Sequence, residues 1–268
     1  MTKLAESLVV YTTANKAYEP FVLPYMAGFL ESNPGVYVEV GVEDADVFRS
    51  ENQQAFELLR SRYGPSMDVT TADFSVGAPH SARFLNESQM KREFLYIGDI
   101  DIFILQEIMP QHLKIMKGLN LPYSNIIRKG RQALSGLHFT RTDAFYPIEN
   151  IDGKIVNFDE AMLYQMILLK GHNLPPEDFQ ERPSHGFHMS LNRRPAGTRN
   201  LDWTLYKIYV PHFLEFTQSE FFRNLFSYFA KPYQNIFALM DMVAEAKYPD
   251  KYSEYDRSWL NASLLFSD

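Results

Sequence analysis

Cysteine is absent from the 268 residues. That excludes disulfides, thiolate metal sites and cysteine nucleophiles, and it fits a reducing cytoplasm. No apolar run reaches the length of a membrane span. Met1 to Val10 contain no signal-peptide apolar core of useful length, so a cytoplasmic protein is expected. Without a leader, the sequons Asn86-Glu87-Ser88 and Asn261-Ala262-Ser263 are read as chance matches. Positive charge is also in deficit: 26 Lys and Arg stand against 33 Asp and Glu, a net charge of −7. This speaks against nucleic-acid binding, and it means that a phosphorylated ligand must be held by local cations. Residues 12–18 lack glycine, so no glycine-rich phosphate loop follows the first apolar strand, as a nucleotidyltransferase would require. No internal repeat or low-complexity segment is present.

What is there is a core. A hydrophobic fraction of 46% with 15% aromatics, over this length, implies an ordered globular protein of one large domain or two small ones. Leu8 to Thr12 reads as a buried strand and Thr13 to Tyr18 as a polar turn. A helix follows from about Pro20 to Ser32, with Pro24 forcing a kink or a later start. Val36 to Val42 reads as a strand, Glu51 to Tyr63 as an amphipathic helix and Met67 to Thr71 as a short strand. This alternation predicts an α/β sheet whose ligands bind beyond the carboxyl ends of the strands.

Phe94 to Leu105 is the most informative stretch. It is an apolar run interrupted by Asp99 and Asp101, with Gly98 just before the first acid. Residues two apart on an extended chain face the same side, so the two carboxylates converge while Ile100 turns to the core. Charged residues embedded in apolar sequence need a partner, and a hard divalent cation carrying phosphate oxygens is the natural one. A solvated turn is the plainer alternative.

Ser81 to Glu87 reads as a short helix carrying Arg83 toward the sheet, and Pro110 to Lys117 as another helix. Asn125 to Arg128 and Gly136 to Thr140 read as strands. Asp159 and Glu160 open a helix running to about Lys170, where they are either caps or functional acids. Arg182 to Pro195 reads as a loop with two histidines and the adjacent Arg193 and Arg194, fit to bind metal and phosphate. Tyr206 to Phe229 and Gln234 to Lys247 read as aromatic-rich helices packing on the sheet or forming a dimer contact. Lys247 to Asp256 reads as a solvated connection.

In combination these segments resemble a glycosyltransferase of the GT-A fold, closest to the retaining family of glycogenin and the lipopolysaccharide galactosyltransferases, over about residues 8–195. The turn with Ala14, Asn15 and Tyr18 resembles that family's nucleotide-binding Ala-x-Asp-x-x-Tyr, with Asn15 in place of the acid. Arg83 followed by the strand ending in Asp99 and Asp101 resembles its arginine and Asp-x-Asp. Ser135-Gly136 resembles its sugar-site turn, and Asp159-Glu160 with Leu163 its Asp-Gln-x-x-Leu. His188 to Pro195 keeps its His-x5-Lys-Pro spacing, with Arg194 for lysine and Leu191 for glycine.

The resemblance implies a nucleotide-sugar-binding domain over residues 1–204 and a C-terminal helical extension over 205–268. It implies Mn²⁺ or Mg²⁺ on Asp99, Asp101 and His188, holding the diphosphate of a nucleotide sugar, UDP-linked by expectation. Thr12, Asn15 and Tyr18 would position the nucleotide; Arg83, Gly136, Arg193 and Arg194 would meet phosphate or sugar; Asp159, with Glu160, would serve the reacting centre. A hexose would pass, with retention, to a glycan or lipid-linked glycan in bacterial surface polysaccharide synthesis. Such a setting leaves room for a homodimer and for peripheral contact with the inner face of the membrane. Two alternatives stay open: a catalytically silent sugar-binding or assembly module on the same fold, and an Asp-x-Asp phosphohydrolase. The latter is disfavoured by Phe103 and by the distance of the pair from the N-terminus.

Overall fold

The two faces of the first strand set the architecture. In the computed structural model β1 (Leu8–Ala14) is buried along its whole length. Leu8 and Val10 point into one apolar cluster, Val9 and Tyr11 into a second on the opposite face. A strand covered on both sides belongs at the centre of a parallel sheet. The described residues are 5–148, 158–183, 186–189, 215–231, 234 and 237.

Around β1 lies a six-stranded sheet in the order β3-β2-β1-β4-β7-β6. The strands β2 (Tyr37–Val42), β3 (Met67–Thr71) and β4 (Phe94–Ile97) run parallel with β1. Beyond them β7 (His138–Arg141) is antiparallel to β4, and the two-residue β6 (Tyr123–Ser124) is antiparallel to β7. The sheet is flanked by helices, as the alternating pattern predicts. A separate two-stranded ribbon pairs β5 (Ile102–Ile104) with β8 (Gly186–His188). Among the described residues no helix is long and apolar enough to cross a membrane.

Helix α1 (Val22–Ser32) follows a 3-10 turn at Glu19–Phe21. Pro24 falls in its first turn, where no intrahelical amide bond is lost, so the later start is realised. An unexpected helix, α2 (Ala45–Glu51), precedes the one expected over Glu51–Tyr63, which runs as α3 (Gln53–Tyr63); Asn52 separates the two. The first of these is nucleated by Asp44, whose carboxylate accepts from the amides of Asp46 and Val47 at 3.1 and 3.0 Å. The short α4 (Ala82–Leu85) carries Arg83, and α5 (Met109–Leu119) covers the expected Pro110–Lys117 helix. After α6 (Thr142–Phe145) comes α7 (Asp159–Leu169), whose Met162, Leu163, Met166 and Ile167 fill the second face.

The strand expected at Asn125–Arg128 is not one. Those residues form one arm of a hairpin with a single bridge, Ile127 to Leu134, and the strand expected from Gly136 starts at His138. Asn125 holds this hairpin: its Oδ1 accepts from the amides of Ile126 and Ser135 (2.7 and 3.0 Å), and its Nδ2 donates to the Ser135 carbonyl at 3.0 Å. Part of the loop expected at Arg182–Pro195 is likewise β8. Gly186 is obligatory there, since a Cβ would lie 1.7 Å from the Phe103 carbonyl oxygen.

In the C-terminal part, α8 (Glu220–Phe226) and its neighbours bring Phe216, Phe222, Phe226, Phe229 and Phe237 into the first cluster, where Phe216 and Phe237 meet Phe103 of β5. The expected domain boundary at 204/205, and most of the expected helices over 206–247, lie outside the described residues.

His138 is fully buried beside Tyr123 and Phe145. Asn125 Nδ2 donates to its Nδ1 at 3.1 Å, because the amide oxygen is already used by two backbone N–H groups. The neutral Nε2–H tautomer follows. Burial, and secondarily His172, pushes its pKa down from 6.5 to about 3. The unfolded chain therefore binds a proton that the folded chain refuses between those values. Stability is full above pH 6.5 and falls as the pH drops toward 3, by up to about 1.4 kcal/mol per unit. Urea unfolding across this range is expected to show a shallower pH slope for His138→Phe than for the wild type; equal slopes would reject the assignment.

Candidate active site

The carboxyl ends of β1 and β4 lie side by side, with β2 and β4 on opposite sides of β1. This is the point where strand order reverses, and the outward-turning loops leave a crevice between them. A cavity of about 380 Å³ opens there, lined by Thr13, Asn15, Tyr18, Pro79, His80, Arg83, Asp99, Ile100, Asp101 and Asp159.

One wall comes from β1. The carbonyl of Asn15 accepts from the amides of Tyr18 and Glu19 at 2.8 and 3.0 Å, a tight turn that brings the amide side chain and the phenol ring to the same rim. Asn15 Oδ1 is buried and has no hydrogen-bond partner. A buried acceptor left unpaired is costly, and a ligand N–H would satisfy it. Thr12, expected to face the nucleotide, is instead fully buried and donates to the Gly98 carbonyl at 2.8 Å. Its neighbour Thr13 lines the cavity. Thr12 thus supports the chain just before the acids and does not touch the crevice.

The floor is the acid pair. The run from Phe94 to Leu105 is not one strand: a turn closed by the Ile102 amide on the Asp99 carbonyl (3.3 Å) separates β4 from β5. Asp99 and Asp101 reach the same cavity because of this turn, not because of strand alternation. Ile100 does pack into the core, as expected, and also touches the cavity. Asp101 is 8% exposed. Its carbonyl accepts from the Met189 amide at 2.6 Å, and Ile102 pairs with His188, so β8 is stitched to the chain immediately after the acids. The His188 imidazole, and Arg193 and Arg194, lie outside the described residues.

The charge inside the cavity is compensated by an arginine. Arg83 is 7% exposed; its Nη2 donates to Asp159 Oδ2 at 2.6 Å and forms an ion pair with Asp99 Oδ1 at 2.8 Å. Its Nε is buried without a partner. Gly136 lies against this guanidinium: a Cβ would fall 2.9 Å from Arg83 Nη2 and 3.5 Å from Asp99 Oδ1. Among the described lining residues, three carboxylates face one guanidinium. The buried phenols of Tyr25 and Tyr96 stay neutral, their pKa values raised by burial and then by neighbouring charge and phenol groups that include Asp99.

Asp159 and Glu160 separate in role. Asp159 lines the cavity. Glu160 accepts from Arg128 Nε at 2.9 Å and from the Gly136 amide at 3.2 Å, fastening the hairpin to the start of α7. Reading along the chain missed Arg128, and with it His80 and Thr13 on the cavity wall. Single residues in loops carry no periodic signal. Arg182, named only as the start of a loop, donates to Ser135 Oγ at 3.2 Å, and burial followed by repulsion from Arg128 lowers its pKa.

Fit to a divalent cation is partial. Asp99 and Asp101 supply hard oxygen ligands on one cavity, but Asp99 already receives Arg83. No group of three His, Asp or Glu side chains able to hold a metal is found among the described residues.

No protein-family model matches the chain, and no curated protein matches it. Among solved structures it is similar to the glycosyltransferase GlyE of Streptococcus pneumoniae, at 10% identity and TM-score 0.40 over 59% of this chain and 43% of that one. An active-site mutant of LgtC matches at 12% identity and TM-score 0.39, over 50% and 57% of the two chains. S. aureus TarS matches at 13% identity and TM-score 0.45, over 92% and 74%. The chain thus spans about half the length of the GlyE and LgtC structures it matches.

If Glu160 works as a fastener, Glu160→Ala should cost about 1–2 kcal/mol in urea unfolding, discounted for the part-exposed Arg128. Unchanged stability would reject the assignment.

Proposed function

We propose that the chain is a metal-dependent glycosyltransferase of the GT-A type, taking its donor from a nucleotide diphosphate sugar. One observation carries the reading: Asp99, Asp101, Asp159 and Arg83 share a cavity with Asn15 and Tyr18 at the switch point of an α/β sheet. A nucleotide diphosphate needs this combination: an aromatic and amide rim for the base, hard oxygen ligands for the diphosphate cation, and a further acid where the sugar lies. The resemblance noted along the chain makes UDP the expected nucleotide, with His188, Arg193 and Arg194 on the diphosphate side.

Tyr18 packs against the base, and Asn15 Oδ1 accepts a base N–H. Asp99 and Asp101 are the residues that would hold Mn²⁺ or Mg²⁺, and the ion would supply charge neutralisation for the departing diphosphate. Arg83 and Asp159 orient the donor sugar, and Gly136 leaves room for the Arg83 guanidinium beside Asp99. With retention, the departing phosphate takes the acceptor proton on the same face. With inversion, a carboxylate base is needed, and of the two candidates Asp159 lines the cavity while Glu160 is held by Arg128. The acceptor is a glycan or lipid-linked glycan, in bacterial surface polysaccharide synthesis at the cytoplasmic side of the membrane.

The commitment of Asp99 to Arg83 favours one second reading, a catalytically silent module that binds sugar on the same fold.

A thermal-shift panel of nucleoside diphosphates with and without Mn²⁺ tests the proposal. A ligand at a hundredfold its Kd stabilises by about 2.7 kcal/mol. UDP is expected to raise the Tm only with Mn²⁺, and Asp101→Ala to abolish the metal-dependent part. No shift with any nucleotide would overturn the reading; a shift without sugar turnover would select the silent module.

A further inference from the structure

We propose that the chain carries a second ligand site, for a neutral saccharide unit, at the opposite end of β4 from the acids. A cavity of about 480 Å³ opens there between residues 87–93 and 141–147. β7 runs antiparallel to β4 with Arg141 opposite Phe94, so the end of β7 meets the start of β4. The volume falls in the range of small-molecule pockets, about 300–1,000 Å³. A site there holds a glycan unit away from the crevice and clear of the donor. The inference does not depend on the reading of Asp99 and Asp101.

The walls of this cavity are tied down before any ligand arrives, which lowers the entropic cost of binding. Arg92 Nη1 donates to the carbonyls of Leu8 and Gly35 at 3.0 and 2.7 Å, fixing its segment to the start of β1 and to the chain just before β2. The Ser88 amide donates to the Tyr146 hydroxyl at 3.1 Å, and the Ile148 amide donates to Glu87 Oε1 at 2.9 Å, so the two segments clasp each other. The Lys91 ammonium lies 4.0 Å from the centre of the Tyr146 ring and pairs with Glu87 at 3.0 Å.

The chemistry of the lining selects the ligand. Three cations, Lys91, Arg92 and Arg141, face three carboxylates, Glu87, Glu93 and Asp143. An ion of either sign meets as many like charges as opposite ones, so a neutral group is favoured. Between the charged heads lie Pro147, Tyr146 and the apolar stems of the cations. Two polar groups are incompletely used. Arg141 commits Nε and Nη2 to Asp143 at 3.1 and 2.9 Å, but its Nη1 stands 4.0 Å from Glu93 Oε1, too far for a hydrogen bond. The Thr142 hydroxyl is buried and has no partner. One hydroxyl accepts from Arg141 Nη1 and donates to Glu93 across the gap, which neither a bare anion nor a cation can do, and a neighbouring hydroxyl pairs with Thr142. Adjacent hydroxyls on a ring with apolar C–H faces are the chemistry of a sugar.

The test is residue-resolved amide NMR titration of the full chain with maltotriose, chitotriose and inorganic phosphate, for wild type, Thr142→Val and Glu93→Ala. At least one saccharide is expected to shift the amides of Glu93, Arg141 and Thr142 saturably. Each variant should weaken that saccharide at least about fivefold, the worth of one hydrogen bond. Thr142→Val should leave the Tm unchanged or raised, because it removes an unpaired hydroxyl. No response to either saccharide, a response confined to the cavity at Asp99, or a stronger one to phosphate overturns the proposal. So does a fall in Tm for Thr142→Val, which means that its hydroxyl is already paired, or an affinity unchanged in both variants.

Discussion

A single guanidinium shared between two carboxylates is the interaction on which the site depends. Arg83 comes from a four-residue helix, Asp99 from the turn after β4 and Asp159 from the first position of α7. These elements are distant in sequence, and the central ion pair draws them to one point. Three acids converging on one cavity would repel each other strongly in a poorly solvated crevice. Arg83 makes the arrangement tolerable by pairing with two of the three.

The surroundings of this pair are built to hold it still. Thr12 donates to the Gly98 carbonyl, one residue before Asp99. Asn125 zips the hairpin that delivers Gly136 against Arg83, and Glu160 fastens the same hairpin to α7 through Arg128. The ribbon of β5 and β8 follows directly on Asp101, with Gly186 allowing the two backbones to close. Polar groups that sequence reading assigns to ligand contact, Thr12 and Glu160 among them, turn out to spend their hydrogen bonds on this scaffold. A buried donor or acceptor must be satisfied, and the protein's own backbone is the nearest partner.

Much of the fold is legible along the chain because burial writes itself into periodicity. The apolar run at Leu8 to Thr12 and the alternation of strands and helices through Thr71 require a parallel sheet covered on both faces. Asp99 and Asp101 stand out because acids inside an apolar run demand a reason. The turn between them is hidden for the same cause: the chain is equally apolar on both sides of it, so two strands in two sheets read as one. Gly98 marks the break, but a glycine also fits a strand end. Helix α2 was missed because its signal is the single cap Asp44, and the short β6 because two residues carry no period.

The sequence by itself determined which residues are buried, where the central strands run and that two carboxylates sit at the end of one of them. These are local facts, dictated by hydrophobic patterning and by the cost of burying charge. Only the tertiary structure decided what compensates that charge and which acid faces the cavity. Arg83, Gly136 and Asp159 meet across long stretches of chain, and a pairing between distant side chains leaves no periodic trace in either segment. Ion pairs and backbone clamps of this kind are settled by distance and geometry, which the order of residues alone does not contain.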